Sequence, residues 1–113
     1  MTKGKGLAER SCKACRVGAA PLKDEALDEL TEQLGGGWDV VGEHHLHKNF
    51  HFDDFAGALA FVNRVGALAE EQGHHPDVHL SWGKVGVTVF THKVDGLSEA
   101  DFVLAAKVDR LPT

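Results

Sequence analysis

Residues Glu70–Asp101 read EEQGHHPDVHLSWGKVGVTVFTHKVDGLSEAD, and the punctuation of this stretch decides the fold. Gly73 is the expected stop of a preceding helix, because glycine takes the left-handed conformation at a helix end, and Pro76 bars continuation. Val78, Leu80 and Trp82 alternate as a strand with an apolar face. After the short connection Gly83-Lys84, Val85, Val87 and Val89 alternate as another strand, ending at Thr91-His92. Strands joined by so short a turn are antiparallel. Ser98 then offers an N-cap, Asp101 stands at the third helical position of a capping box, and Leu97 with Phe102 suits a hydrophobic staple.

Toward the N-terminus, Asp53 or Asp54 is placed to cap a long helix. Its expected buried stripe is Phe55, Ala58, Leu59, Val62, Val65, Gly66 and Ala69, at 3.6-residue spacing. Before it, Leu46, Lys48, Phe50 and Phe52 alternate with His45, His47, Asn49 and His51. Phe50 and Phe52 are expected to pack inward, leaving the histidine face to solvent or a second subunit. Trp38–Val41 reads as a short strand joined to this one through Gly42-Glu43. Pro21 precedes a helix with Leu22, Ala26, Leu27, Leu30 and Leu34 on one stripe, closed by Gly35-Gly36-Gly37. Lys23 stands where a Ser or Thr cap is more usual. The last helix is expected to end near Arg110, before Pro112. The order α-β-β-α-β-β-α predicts an α+β fold of two layers, a four-stranded antiparallel sheet with the helices packed on one face.

A chain of 113 residues is one domain with enough core to fold without disulfides or metal. Residues 1–20 lack apolar periodicity and read as a flexible N-terminal arm, leaving 21–113 as the folded domain. The net charge is −5, and Lys and Arg do not cluster beyond the first few residues, which argues against a nucleic-acid surface. No apolar run approaches the roughly 18 residues of a membrane span, and no hydrophobic segment of a secretory signal follows the basic start. A soluble cytoplasmic protein is expected. Cys12 and Cys15 form a lone C-x2-C without the second ligand pair of a zinc ribbon, and are expected to be an inert part of the arm.

Eight histidines are the compositional outlier, in two groups: His44, His45, His47 and His51, then His74, His75, His79 and His92. A lone histidine is most often a surface group, and His79 is expected to be exposed. The second group is different, because it sits in the pattern E-x3-H-H-P-x5-W-x9-H-x8-D from Glu70 to Asp101. Imidazole titrates near neutrality and suits proton transfer. Glu70 and His74, at i and i+4 on the helix end, are expected to meet, and a neighbouring carboxylate favours the imidazolium and fixes its tautomer. Hairpin pairing brings Pro76–Val78 beside Thr91–Lys93, so His74, His75 and His92 are expected to share a cleft. Asp101 is explained equally well by its capping box, Glu70 by a solvated helix face. Trp82 is expected in the core rather than as a substrate platform. The His45/His47/His51 face has the i, i+2 spacing of a metal site but no carboxylate or cysteine in obvious register.

Glu70, His74-His75-Pro76, Trp82, His92 and Asp101 resemble, with every spacing kept, the motif of the pterin-4a-carbinolamine dehydratases. The resemblance continues through Phe50-His51-Phe52, Asp54-Phe55, Ala69-Glu70, Thr91-His92 and Gly96-Leu97-Ser98, leaving only the first 20 residues outside. Val78 departs from vertebrate members, which often carry an aromatic residue there, and Phe90 stands where a small residue occurs.

The resemblance implies a hydro-lyase, 4a-hydroxytetrahydrobiopterin dehydratase. Such an enzyme removes water from a 4a-hydroxytetrahydropterin to give quinonoid dihydropterin, in tetrahydrobiopterin recycling linked to an aromatic amino-acid hydroxylase. It implies no metal and no organic cofactor, and a homodimer or homotetramer. It assigns His74 and His92 as the acid/base pair, His75 to binding the pterin with help in proton transfer, Glu70 and Asp101 to orienting the histidines, and the backbone near Thr91 to the polar edge of the pterin. Two other readings stand beside it. One is a non-catalytic scaffold, an assembly or dimerisation factor on the same fold, although such a protein has no need of all three histidines. The other is a histidine-rich metal binder.

Overall fold

The computed structural model describes residues 7–9 and 21–113. Its elements are α1 (Asp24–Leu34), β1 (Asp39–Val41), β2 (His45–His51), α2 (Phe55–Gln72), β3 (Asp77–Ser81), β4 (Lys84–Val89) and α3 (Glu99–Asp109). This is the expected α+β order. The four strands form one antiparallel sheet in the order β1-β2-β4-β3, so β4 lies centrally between β2 and β3.

Register decides which side chains face the helices. Leu46 pairs with Val89, Phe50 with Val85, and Val78 and Leu80 with Val87 and Val85. On the side these residues share, α2 and α3 pack over β4 and α1 leans on α3. Leu46, Val85, Val87 and Val89 join Phe61, Val65, Phe102 and Leu104 in one core. On the other side His47 pairs with Thr88, which pairs with Asp77, giving the sheet a polar open face. The short helix α1 starts at Lys23 without a side-chain cap, as the sequence suggests.

Several expectations need correction. The buried stripe of α2 is Ala58, Phe61, Val65 and Ala69. It is rotated about the axis toward Phe61, and Phe55 and Leu59 are left 43% and 42% exposed. Apolar residues on two adjoining faces made the stripe ambiguous from periodicity alone. Trp82 lies in the β3–β4 turn and is 68% exposed, because β3 ends at Ser81 before the alternation reaches it. Within the stretch read as an arm, Leu7–Glu9 form a 3-10 turn docked on α3. Leu7 is buried in the core, Lys107 Nζ donates to the Ala8 carbonyl at 2.8 Å, and Arg110 pairs with Glu9. Cys12 and Cys15 lie outside the described residues.

Two turns position the site. Asp54 caps α2 by accepting the Gly57 N–H at 2.8 Å, and Gly73 closes it in the left-handed conformation, φ 66° and ψ 27°. After β4, Thr91 and Gly96 bridge as an antiparallel pair, enclosing a 3-10 turn at His92–Val94. Pro21 packs directly on Gly96, where a Cβ would come within 2.6 Å of the proline ring, and Leu22 N donates to Leu97 O at 2.7 Å. Any side chain at position 96 would push the start of the domain off this turn.

Candidate active site

The end of α2 and the turn after β4 face one another across a cleft of about 320 Å³ lined by Gly73, His74, His75, Thr91, His92 and Lys93. That volume is at the small end of small-molecule sites. A larger depression of about 610 Å³ lies on α1 among Glu25, Asp28, Glu29, Thr31 and Glu32. It is an acidic helix face with no imidazole, whereas the smaller cleft is lined by three.

The structure brings His74, His75 and His92 together, as expected from the hairpin, but exchanges the carboxylate partners. Gly73 reverses the chain, and both the Gly73 and His74 N–H groups close on the Ala69 carbonyl. The reversal carries His75, rather than His74, back over Glu70, with Nε2 2.6 Å from Oε2. His74 instead reaches across to α3 and donates from Nε2 to Asp101 Oδ1, also at 2.6 Å. The expected Glu70–His74 contact is thus corrected to two separate pairs.

Asp101 is fully buried, with 0% exposure. A buried carboxylate is costly unless donors surround it. Its Oδ2 accepts the Ser98 N–H and the Thr91 hydroxyl, each at 2.8 Å, while Oδ1 accepts from His74. The Ser98 hydroxyl lies 2.8 Å from Thr91 Oγ1, which has already given its proton to Asp101, so Ser98 is the donor there. The capping-box acid of α3 is therefore also the acceptor that fixes the His74 tautomer, with the proton on Nε2. The Nδ1 of His74 makes no hydrogen bond among the described residues.

Thr91 lines the cleft with its own backbone groups engaged. Its N–H donates to Gly96 O at 2.8 Å, and its carbonyl accepts from Val94 and Gly96. Thr91 also brings a buried hydroxyl to Asp101. Lys93, on the cleft wall beside His92, was not singled out from the sequence; its adjacency to His92 was the signal available.

The first histidine group belongs to a neighbouring network. His44 Nε2 lies 2.8 Å from Asp95 Oδ1, and His44 Nδ1 lies 3.1 Å from His45 Nδ1. His47 bonds Thr88 Oγ1 at 2.8 Å. Burial, and then the charges of His44 and His47, push the His45 pKa below the ordinary imidazole value and favour its neutral ring. Among the described residues no group of three or more His, Cys, Asp or Glu is arranged to hold a metal, and no helix is long and apolar enough to cross a membrane.

Residues 20–111 match the family model described as pterin 4 alpha carbinolamine dehydratase. The chain belongs to this family. A Rubrobacter xylanophilus protein that carries the provisional name pterin-4-alpha-carbinolamine dehydratase is 61% identical over 105 residues, covering 93% of this chain and 97% of that protein. One from Alkaliphilus metalliredigens, named in the same way, is 52% identical over 104 residues, covering 92% and 94%. A solved transcriptional coactivator/pterin dehydratase from Brucella melitensis superposes with a TM-score of 0.73 at 31% identity, over 80% of this chain and 96% of its own. A pterin dehydratase-like protein identified as a RuBisCO assembly factor in the alpha-carboxysome superposes with a TM-score of 0.58 at 30% identity, over 68% and 90%. Family membership supports dehydratase activity on a pterin carbinolamine, and the cleft is where His74, His75 and His92 converge.

Proposed function

We propose that the chain dehydrates 4a-hydroxytetrahydropterin to quinonoid dihydropterin and water by histidine general acid/base catalysis. The observation that carries this reading is the His74–Asp101 pair in one cleft with His92, whose lining also includes His75 and Lys93. The reaction needs a proton delivered to the leaving 4a-hydroxyl as its C–O bond breaks, and a proton taken from the adjacent ring nitrogen as the C=N bond forms. His74 and His92 are the acid/base pair. Proton transfer by a positioned side chain contributes about 10²–10⁴-fold. His75, held by Glu70 at the exposed rim, binds and orients the pterin and assists proton transfer. Asp101 holds His74, and Thr91 holds Asp101. No metal or organic cofactor enters this scheme.

The proposal places the enzyme in the cytoplasm, in tetrahydrobiopterin recycling with an aromatic amino-acid hydroxylase, as a homodimer or homotetramer. Phe55, Leu59, Val78 and Trp82, all exposed in the single chain, supply apolar area for self-association. A second reading, a non-catalytic assembly factor, draws on the likeness to the RuBisCO assembly protein. The two separate in one assay. The carbinolamine is generated with a phenylalanine hydroxylase at slightly alkaline pH, where its spontaneous dehydration is slow, and its ultraviolet decay is followed with and without this protein. Acceleration at catalytic protein concentrations is expected; a folded sample that leaves the decay unchanged, beside an active control dehydratase, rejects the enzyme in favour of the scaffold.

A further inference from the structure

Of the three histidines in the cleft, two are held by carboxylates and one is not. His74 has Asp101 and His75 has Glu70, each at 2.6 Å. The His92 ring makes no hydrogen bond among the described residues, and it sits on the short 3-10 turn rather than on a long helix or strand. A group that exchanges a proton with substrate must be aimed, and a displacement of about 1 Å costs on the order of 10²-fold in rate. What the structure places against His92 is Phe90, with ring centroids 4.3 Å apart and planes tilted by 44°.

Phe90 is in turn backed by His44, at 4.7 Å and 41°. Both nitrogens of His44 are paired, Nε2 with the exposed Asp95 carboxylate at 2.8 Å and Nδ1 with His45 at 3.1 Å, contacts that favour this ring position. Asp95 ends the same 3-10 turn that begins with His92, in the left-handed conformation at φ 51° and ψ 50°, and its N–H returns to the His92 carbonyl at 3.1 Å. Asp tolerates this conformation better than most side chains. The carboxylate leaving it reaches the start of β2 and ties the turn to the sheet.

We infer that Phe90, His44 and Asp95 form a brace that positions His92 for proton transfer. Phe90 presents a flat wall to the imidazole, His44 supports that wall from behind, and Asp95 links the support to the turn carrying His92. None of the three needs to touch substrate. They are positioning residues, and the inference rests on the reaction proposed above.

The test is a double-mutant cycle on the dehydration reaction, with Phe90→Ala made in the natural chain and in His92→Ala, and kcat and KM measured separately. Phe90→Ala alone is expected to lower kcat by about 10- to 100-fold with KM little changed, as for a group that acts only on aiming. Phe90→Tyr, which keeps the flat ring, is expected to restore most of kcat. In His92→Ala, adding Phe90→Ala is expected to cost nothing further, because the group being aimed is gone. Phe90→Leu, with volume kept and the plane lost, replaces the alanine variant if that fails to fold. The brace is overturned if the Phe90 substitution costs the same factor in both backgrounds, or if its loss falls on KM. If His92→Ala alone keeps the full rate, the acid/base role of His92 fails as well; if His92→Ala is impaired but the effects multiply, the brace alone fails.

Discussion

The two carboxylate–histidine pairs of the cleft have the same 2.6 Å contact and different surroundings. His74 and Asp101 are 18% and 0% exposed at the side chain, whereas His75 and Glu70 are 60% and 78% exposed. Asp101 also receives Ser98 N–H and the Thr91 hydroxyl, while His75 is the partner recorded for Glu70. Distance alone therefore ranks neither pair. Burial and the number of converging donors do, because a desolvated carboxylate that loses a partner cannot turn to water, while an exposed one can.

The largest expected effect breaks the buried pair. Asp101→Ala leaves His74, Thr91 and the Ser98 N–H without their acceptor, and is expected to cost about 3 kcal/mol or more, since each buried hydrogen bond to a charged group contributes about 1.5–3 kcal/mol. Glu70→Ala is expected to cost about 0–1 kcal/mol, the range of exposed pairs. Denaturant titration of both variants checks the contrast, and equal losses would contradict it. A smaller effect sharpens it. Thr91→Val keeps the shape of the side chain and removes one donor to the buried carboxylate, with an expected loss of about 1.5–3 kcal/mol. A loss no larger than that of Glu70→Ala would mean that the Thr91 hydroxyl contributes little to holding Asp101.

Much of the frame around the two pairs was legible in the sequence, because local rules set it. Gly73 and Pro76 marked the end of α2, the alternation of Val85, Val87 and Val89 marked β4, and Ser98 with Asp101 marked the start of α3. The gathering of His74, His75 and His92 followed from the hairpin connection. What could not be read was which carboxylate meets which imidazole. An i, i+4 rule assumes a continuing helix, and the left-handed Gly73 shifts the partner of Glu70 by one residue to His75. The stripe of α2 was displaced because Phe55 and Leu59 are apolar yet lie on a flank that the single chain leaves exposed. Trp82 fits the strand alternation but falls one residue past the end of β3. His44 and Asp95, 51 positions apart, meet only through tertiary packing, for which no local spacing gives a signal.

The most direct test of the account compares kcat for dehydration of 4a-hydroxytetrahydropterin in Asp101→Asn and Glu70→Gln, each shown to be folded by circular dichroism. Asparagine nearly keeps the volume of the aspartate but replaces one acceptor with a donor, which disturbs the His74 tautomer; a loss of about 10²-fold is expected, within the range that general acid/base catalysis supplies. Glu70→Gln, at the exposed rim, is expected to lose about fivefold or less, since exposed pairs contribute up to about 1 kcal/mol. Equal losses, or a larger loss in Glu70→Gln, would contradict the claim that the buried Asp101–His74 pair is the working half of the site.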